Sequence, residues 1–136
     1  MFERMVLAVD RSEHSRRAIA VAAELARLSQ GEVIVVHVVE HEAIKTREPV
    51  EPPQEAAELV RETLEALRSA GAKASGEVKL AEIGRTASVI VETATEEGAG
   101  LIVMGTRGLS DLASLVLGSV THKVLHLATC PVLVVR

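Results

Sequence analysis

The sequence predicts one α/β domain built on a doubly wound parallel sheet. Short runs of Val, Ile and Leu alternate with helical patterns along the chain, and a length of 136 residues suits a single core. The second and fourth runs are apolar nearly throughout, which is typical of strands buried on both faces of a parallel sheet. We therefore expect the order β-α-β-α-β-α-β-α-β in one domain, residues 1–136.

The strand predictions rest on short runs rich in β-branched and aliphatic residues. The third run is weaker, because Lys73, Ser75, Glu77 and Lys79 alternate along it, and we expect it near an edge of the sheet. The predicted strands cover residues 5–9, 32–40, 72–81, 101–105 and 131–136.

An amphipathic helix is predicted over residues 12–30. Ser12 is suited to cap its start, and Gly31 is suited to end it. The apolar positions at helical spacing are Ala18, Ala22, Leu25 and Leu28.

Three further helices are predicted over residues 55–70, 86–97 and 119–128. A polar segment over residues 41–54 precedes the first of these, and segments of this length are often lids or variable insertions. In that helix, the positions expected on one apolar face are Leu59, Thr63, Leu67 and Ala70.

Composition narrows the classes of partner. The net charge is −4 without a basic block, and the chain has one Phe and no Trp or Tyr. Binding to a phosphate backbone needs a basic surface, and single-strand binders stack bases on aromatic rings, so we expect no nucleic-acid partner.

No apolar run is long enough for a membrane span, and the N-terminus does not resemble a secretory signal. A lone cysteine, Cys130, fits a reducing compartment, so a cytoplasmic location is expected.

Unusual residues fall at the ends of the predicted strands. Asp10 follows the first strand, His37 and Val38 lie late in the second, and Met104 and Gly105 end the fourth. Ligands of open parallel sheets bind beyond the carboxyl ends of the strands, where the chain order reverses. The sequence therefore predicts a ligand site at this edge.

A glycine pattern follows the fourth strand. Two residues separate Gly105 from Gly108, and nine more precede Gly118 and Ser119, which open a predicted helix. Glycine lets backbone N–H groups approach a phosphate closely, and the start of a helix favours an anion. The loop and the helix are together suited to hold a triphosphate without a lysine.

This G-x-x-G, nine residues, G-[S/T] pattern resembles the ATP-binding motif of the universal stress protein family. The resemblance covers the chain, through the VDRS start, HVVE in the second strand, the GTRG and LGSV segments, and the CPVLVV ending. It implies a Rossmann-like, adenine nucleotide alpha hydrolase-like fold with strand order 3-2-1-4-5. It also implies a stress-response regulator that binds ATP or AMP, with or without magnesium.

The resemblance implies a role for individual residues. Asp10 should accept hydrogen bonds from ribose hydroxyls, and Ser119 should offer its hydroxyl to phosphate or magnesium. The positions implied around adenine and ribose are Ala8, Asp10, Val38 and Met104. The positions implied around the phosphates are Gly105, Arg107, Gly108, Gly118, Ser119 and Val120.

Structural interpretations compete with these assignments. Asp10 is also suited to cap the first helix, Arg107 to be a solvated loop residue, and the glycines to serve turns alone. His122 and His126 stand four apart on a predicted helix, but no third ligand is evident nearby, so no metal site is expected.

Two further side chains are expected to be buried without a ligand role. His37 lies in an apolar strand and should be a core or pocket-edge histidine with a hydrogen-bonding neighbour. Cys130 precedes Pro131 and should be a small buried hydrophobe rather than a reactive thiol.

Three classes of function stay open: a nucleotide-binding regulator, an ATP-using enzyme and a ligand-free dimeric scaffold. The P-loop pattern GxxxxGK[ST] is absent, and Asp10 is the one carboxylate that the motif places near the phosphates. Fast phosphoryl transfer needs a positioned nucleophile and strong charge neutralisation, so we expect binding with at most slow hydrolysis. The intact glycines disfavour the ligand-free scaffold.

The last strand is expected to form a dimer contact. Residues 132–135 are apolar on both faces, and the strand order implied by the resemblance places them at an edge. Because an exposed apolar edge invites pairing, we expect a homodimer in which two such strands pair antiparallel across a two-fold axis.

Overall fold

The computed structural model describes residues 2–41, 52–106 and 117–136, where five strands alternate with four helices in the predicted order. Most of the predicted loop over residues 41–54 falls outside these ranges. No helix in the three ranges combines the length and hydrophobicity that a membrane span requires. The elements are β1 (Arg4–Ala8), α1 (Glu13–Ser29), β2 (Glu32–His41), α2 (Pro53–Ser69), β3 (Lys73–Glu82), α3 (Thr86–Glu96), β4 (Leu101–Gly105), α4 (Ser119–Leu127) and β5 (Val132–Val135).

The five strands lie parallel in one sheet with the order β3-β2-β1-β4-β5. This confirms the doubly wound sheet and the strand order 3-2-1-4-5. The chain moves outward from β1 through β2 to β3 and then returns to place β4 on the other side of β1. Since the winding reverses between β1 and β4, the carboxyl ends of these two strands mark the topological switch point of the sheet.

One face of the sheet packs against α1 and α2. Ala18, Ala22 and Ala26 of α1 are buried there, because their small side chains let the helix lie close to the strands. The predicted apolar face of α1 is wrong at its end: Leu25 is half-buried, and Leu28 is 68% exposed. The fully buried or nearly buried strand residues on this face are Met5, Leu7, Val33, Val35, Leu101 and Val103.

The opposite face packs against α3 and α4. Ile90 of α3 and Val124 of α4 are buried in this second cluster. Successive side chains of a strand point to opposite faces, so strands covered on both sides are apolar at every position. The buried strand residues on this face are Val6, Ile34, Val36, Ile102 and Met104.

Helix α1 has a side-chain cap at its start and a left-handed residue at its end. The Ser12 side chain accepts from the backbone N–H of Ser15, which confirms the predicted cap. At the other end, Gln30 rather than Gly31 adopts the left-handed conformation, with φ of 57°. Gly31 has a different constraint, because a Cβ there would lie 1.9 Å from the carbonyl oxygen of Phe2.

The third strand is an edge strand, as its polar alternation predicted. Ala81 is its one buried residue, and α2 packs beside it with Leu59, Thr63 and Leu67 buried. The expectation that Ala70 shares this buried face is wrong, since the helix ends one residue earlier and Ala70 is exposed.

The difference between the two leucine environments predicts two different costs. Replacing the fully buried Leu67 with alanine should lower the free energy of unfolding by about 2–5 kcal/mol, because it leaves a cavity. The matched change Leu28→Ala, on the exposed side of α1, should cost less than about 0.5 kcal/mol. Urea unfolding followed by circular dichroism measures both, and equal losses would contradict this description of the core.

Candidate functional site

Most of the predicted site residues lie at or near the carboxyl ends of the strands. The strand β1 lies between β2 and β4. Val9, the first residue after β1, continues the pairing with β2, because its backbone N–H donates to the carbonyl of Val36 at 3.0 Å. Arg107 and Gly108 lie outside the described residues. The predicted positions within the described ranges are Ala8, Asp10, Val38, Met104, Gly105, Gly118, Ser119 and Val120.

The three apolar positions predicted around adenine lie on one face of the sheet. Ala8 and Val38 are half-buried and pack against the cluster that α3 and α4 cover, and Met104 belongs to the same cluster. Their exposure differs, since Met104 is only 5% exposed and is chiefly a core residue. Ala8 and Val38 therefore supply the accessible part of this apolar wall.

Asp10 organises the turn between β1 and α1. Its carboxylate Oδ1 accepts from the backbone N–H of Ser12 at 2.7 Å, and its own N–H donates to the Ser15 hydroxyl at 2.9 Å. Ser12, not Asp10, is the N-cap of the helix, so the capping interpretation of Asp10 is wrong although its role in the turn is real. A carboxylate has about four acceptor sites on its two oxygens, which leaves room for ribose hydroxyls.

The end of β4 lies against the first turn of α1. A Cβ placed on Gly105 would lie 2.8 Å from both the backbone carbon and the Cβ of His14. Real Cβ atoms do not approach so closely, so any side chain here would push α1 away from β4. Gly105 therefore serves helix packing, in addition to any contact with a ligand.

Hydrogen bonds tie the start of α4 to the end of β4. The Thr121 hydroxyl donates to the carbonyl of Gly105 at 2.9 Å, and the N–H of Gly118 donates to the carbonyl of Thr106 at 2.8 Å. Both ends of the glycine pattern are thus held together, although the ten residues between them, 107–116, lie outside the described ranges.

The start of α4 has the features of an anion-binding helix end. Gly118 is its N-cap in an extended conformation with φ of −61°, and no side chain caps the helix within the described residues. The first turn contains no acidic residue. Ser119 is exposed and Val120 half-buried, so the first N–H groups and the helix dipole favour a negative group here.

Two histidines form hydrogen bonds with the residues that follow β1 and β4. The Nδ1 of His37 lies 2.8 Å from the carbonyl of Val9, so it carries the proton and donates, and the side chain is buried as predicted. The Nδ1 of His14 lies 3.0 Å from the hydroxyl of Thr106. The sequence-based prediction missed His14, although the placement of β4 beside β1 was a signal that the first turn of α1 faces the chain after β4.

The histidine pair and the cysteine that the sequence analysis considered are not arranged as a metal site or as a reactive thiol in the described part of the chain. His122 and His126 are exposed, with ring centroids 6.1 Å apart, and the described residues contain no group of three or more metal-ligating side chains. Cys130 is half-buried against the second core cluster, and burial raises the pKa of its thiol. A raised pKa leaves less thiolate at neutral pH, so this cysteine is a weak nucleophile.

Comparisons with known sequences agree over the full length. The sequence profile of the universal stress protein family matches residues 1–136. The chain is 38% identical over 148 aligned positions to universal stress protein YxiE of Bacillus subtilis, with 100% of both chains covered. It is 41% identical over 147 positions to a universal stress protein of Thermus aquaticus, again with 100% of both covered.

Solved structures with the same fold include two nucleotide complexes. A universal stress protein from Archaeoglobus fulgidus in complex with dAMP has a TM-score of 0.79 and 30% identity, with 100% of both chains covered. A universal stress protein in complex with cAMP has a TM-score of 0.78 and 26% identity, with 98% of this chain and 97% of the other covered.

The bond between Thr121 and Gly105 should contribute measurably to stability. Thr121→Val removes a buried hydroxyl that joins α4 to β4, and we expect it to lower the free energy of unfolding by about 1–2 kcal/mol. Thr95→Val is the matched control, because the exposed Thr95 hydroxyl donates to the carbonyl of Val91 in its own helix. We expect it to cost less than about 0.5 kcal/mol. Urea unfolding measures both, and a Thr121 variant as stable as the control would show that α4 is held by other contacts.

Proposed function

The chain belongs to the universal stress protein family, and from that premise we propose that it is a stress-response regulator that binds an adenine nucleotide, ATP or AMP. One observation carries the proposal: an apolar wall and a carboxylate lie at the end where the sheet reverses its winding, and a helix start that no described side chain caps is bonded to the end of β4. The dAMP and cAMP complexes of structural relatives support an adenine nucleotide as the ligand.

The base and the ribose are assigned to the end of β1 and its neighbours. With no Trp or Tyr in the chain, adenine must rest on aliphatic side chains, and Ala8 and Val38 present accessible apolar surface on one face of the sheet. Met104 contributes to the wall from the core. Asp10 is assigned to the ribose hydroxyls through the acceptor sites that its bond to Ser12 leaves.

The phosphates are assigned to the glycine pattern. The N–H groups at the start of α4 and the hydroxyl of Ser119 supply donors for phosphate oxygens. The hydroxyl of Ser119 together with phosphate oxygens is also a set of oxygen ligands that suits magnesium. The positions assigned to the phosphates are Gly105, Arg107, Gly108, Gly118, Ser119 and Val120.

We propose binding rather than efficient turnover. Asp10 is the carboxylate among the assigned contacts, and one of its oxygens already accepts from the N–H of Ser12. Rapid phosphoryl transfer needs a group that positions the nucleophile and strong neutralisation of charge, and these contacts supply little of either. Slow ATP hydrolysis is compatible with this assignment, and a ligand-free dimeric scaffold is the alternative.

The lone Cys130 supports a reducing, cytoplasmic setting.

The ultraviolet spectrum of the purified protein tests the proposal directly. A chain without Trp or Tyr absorbs little where adenine absorbs strongly, so a co-purified nucleotide should dominate the spectrum. We expect denaturation to release AMP or ATP, identified by chromatography and mass spectrometry, or the ligand-free protein to bind them in calorimetry. A protein that carries no nucleotide and binds neither with added magnesium would favour the scaffold.

Asp10→Asn locates the site within this experiment. The amide keeps an oxygen for the N–H of Ser12 but loses the charge that strengthens bonds to ribose hydroxyls, so we expect roughly tenfold weaker AMP binding. Glu13→Gln, which neutralises an exposed acid in the first turn of α1, is the control and should bind as the unchanged protein does.

The chain is also proposed to form a homodimer through β5, which is an edge strand. The carbonyls of Pro131 and Val135 accept from the N–H groups of Ile102 and Thr106, so the backbone groups of the alternate residues Val132 and Val134 face away from the sheet. The helix α4 contacts β5 and carries Leu125 and Leu127, which are 43% and 47% exposed. An edge with apolar side chains and outward backbone groups supports antiparallel pairing with a second copy.

Val134→Pro tests this pairing without breaking the bond to β4. Proline removes an N–H that faces the free edge, so we expect the dimer to dissociate, as measured by analytical ultracentrifugation. Val134→Thr keeps the N–H and a β-branched side chain, and it should remain dimeric. A Val134→Pro variant that is folded and still dimeric would place the interface elsewhere.

A further inference from the structure

Three separate elements meet at Thr106, the residue that follows β4. Its N–H donates to the carbonyl of Val135 in β5 at 2.8 Å, and its carbonyl accepts from the N–H of Gly118 at 2.8 Å. Its hydroxyl lies 3.0 Å from the Nδ1 of His14 in α1. The first two bonds join backbone groups, whereas the third depends on the identity of two side chains.

The reach of His14 to Thr106 is set by the packing of α1. Ser12 caps the helix, and the backbone of His14 lies so close to Gly105 that a Cβ on the glycine would approach within 2.8 Å. The helix therefore has little freedom to move relative to the end of β4. The half-buried imidazole bridges the remaining distance to the Thr106 hydroxyl.

We propose that His14 is a positioning residue for the phosphate end of the site. Through the Thr106 hydroxyl it fixes the peptide whose carbonyl holds Gly118, and Gly118 begins the helix to which the phosphates are assigned. This inference rests on the proposed nucleotide binding. It adds a residue of α1 to a site whose assigned contacts lie on β1, β2, β4, α4 and the chain between β4 and α4.

The positioning does not depend on the tautomer of the ring. A bare Nδ1 accepts from the Thr106 hydroxyl, and a protonated Nδ1 donates to it, so the bond forms in either case. Asparagine places an oxygen or nitrogen at nearly the same distance from the main chain as Nδ1. His14→Asn is therefore a conservative variant that retains a partner for Thr106, whereas His14→Ala removes it.

The test compares two ligands that differ only in phosphate. Calorimetry at one pH measures AMP and adenosine binding to the unchanged full chain, His14→Ala, His14→Asn and Thr106→Val. We expect His14→Ala and Thr106→Val to weaken AMP binding roughly threefold to tenfold, the cost of one hydrogen bond. Adenosine binding should stay within about twofold, and His14→Asn should recover most of the AMP affinity. Because both changes break one bond, the double variant should be no weaker than either single variant.

Amide hydrogen exchange of the ligand-free proteins provides a second readout. The N–H of Gly118 donates to the carbonyl of Thr106, so its exchange should be faster in His14→Ala and restored in His14→Asn. Thermal unfolding identifies any variant that fails to fold, and the asparagine and valine variants keep the comparison informative if the alanine variant is such a case.

Each outcome separates this inference from the proposed function. If the unchanged protein binds neither AMP nor ATP with added magnesium, the proposed function fails and this inference with it; if it binds ATP alone, ATP replaces AMP in the comparison with adenosine. If the unchanged protein binds AMP but His14→Ala binds it equally well, or His14→Asn is as weak as His14→Ala, only the role of His14 is overturned. Equal weakening of AMP and adenosine would also overturn it, because the effect would then not be specific to phosphate.

Discussion

The close approach of Gly105 to the first turn of α1 is the constraint on which the geometry of the site depends. A side chain at this position would collide with His14, so glycine alone lets β4 end beside the helix. That approach brings the Thr106 hydroxyl to His14, while Thr121 holds the carbonyl of Gly105 from α4 and Val135 accepts from the N–H of Thr106. Two consecutive residues thus join four elements, and the start of α4 is held beside the end of β4 as a result.

Residues that hold the fold together also belong to the proposed ligand site or the proposed dimer contact. One oxygen of Asp10 holds the turn before α1, and the acceptor sites that remain are the ones proposed for ribose. The carbonyl of Val135 accepts from Thr106 and ends the edge strand proposed to pair in a dimer. The proposed nucleotide site and the proposed dimer edge are therefore joined through the pairing of β4 with β5 and the bond from Thr106 to Val135.

The sequence predicted most of the fold but not the fine burial of its helices. The alternation of strands and helices, the polar edge strand and the Ser12 cap follow from local patterns, and the structure has all of them. Leu28 and Ala70 were expected on buried faces and are exposed, because an apolar residue near a helix end is buried only if another element extends that far. The end of α1 differs in the same way: Gln30 takes the left-handed conformation, and Gly31 is needed for its contact with the chain at Phe2.

The sequence by itself determined the type and order of the elements and the residues that line the ends of β1, β2 and β4, because periodicity and glycine spacing are properties of neighbouring residues. The tertiary structure alone decided which of these residues meet. His14 and Thr106 are 92 positions apart and form a hydrogen bond because β4 pairs with β1 after the chain has passed through β2 and β3. A local pattern contains no information about such a distance, since the pairing of strands across a sheet depends on the burial of all its faces at once.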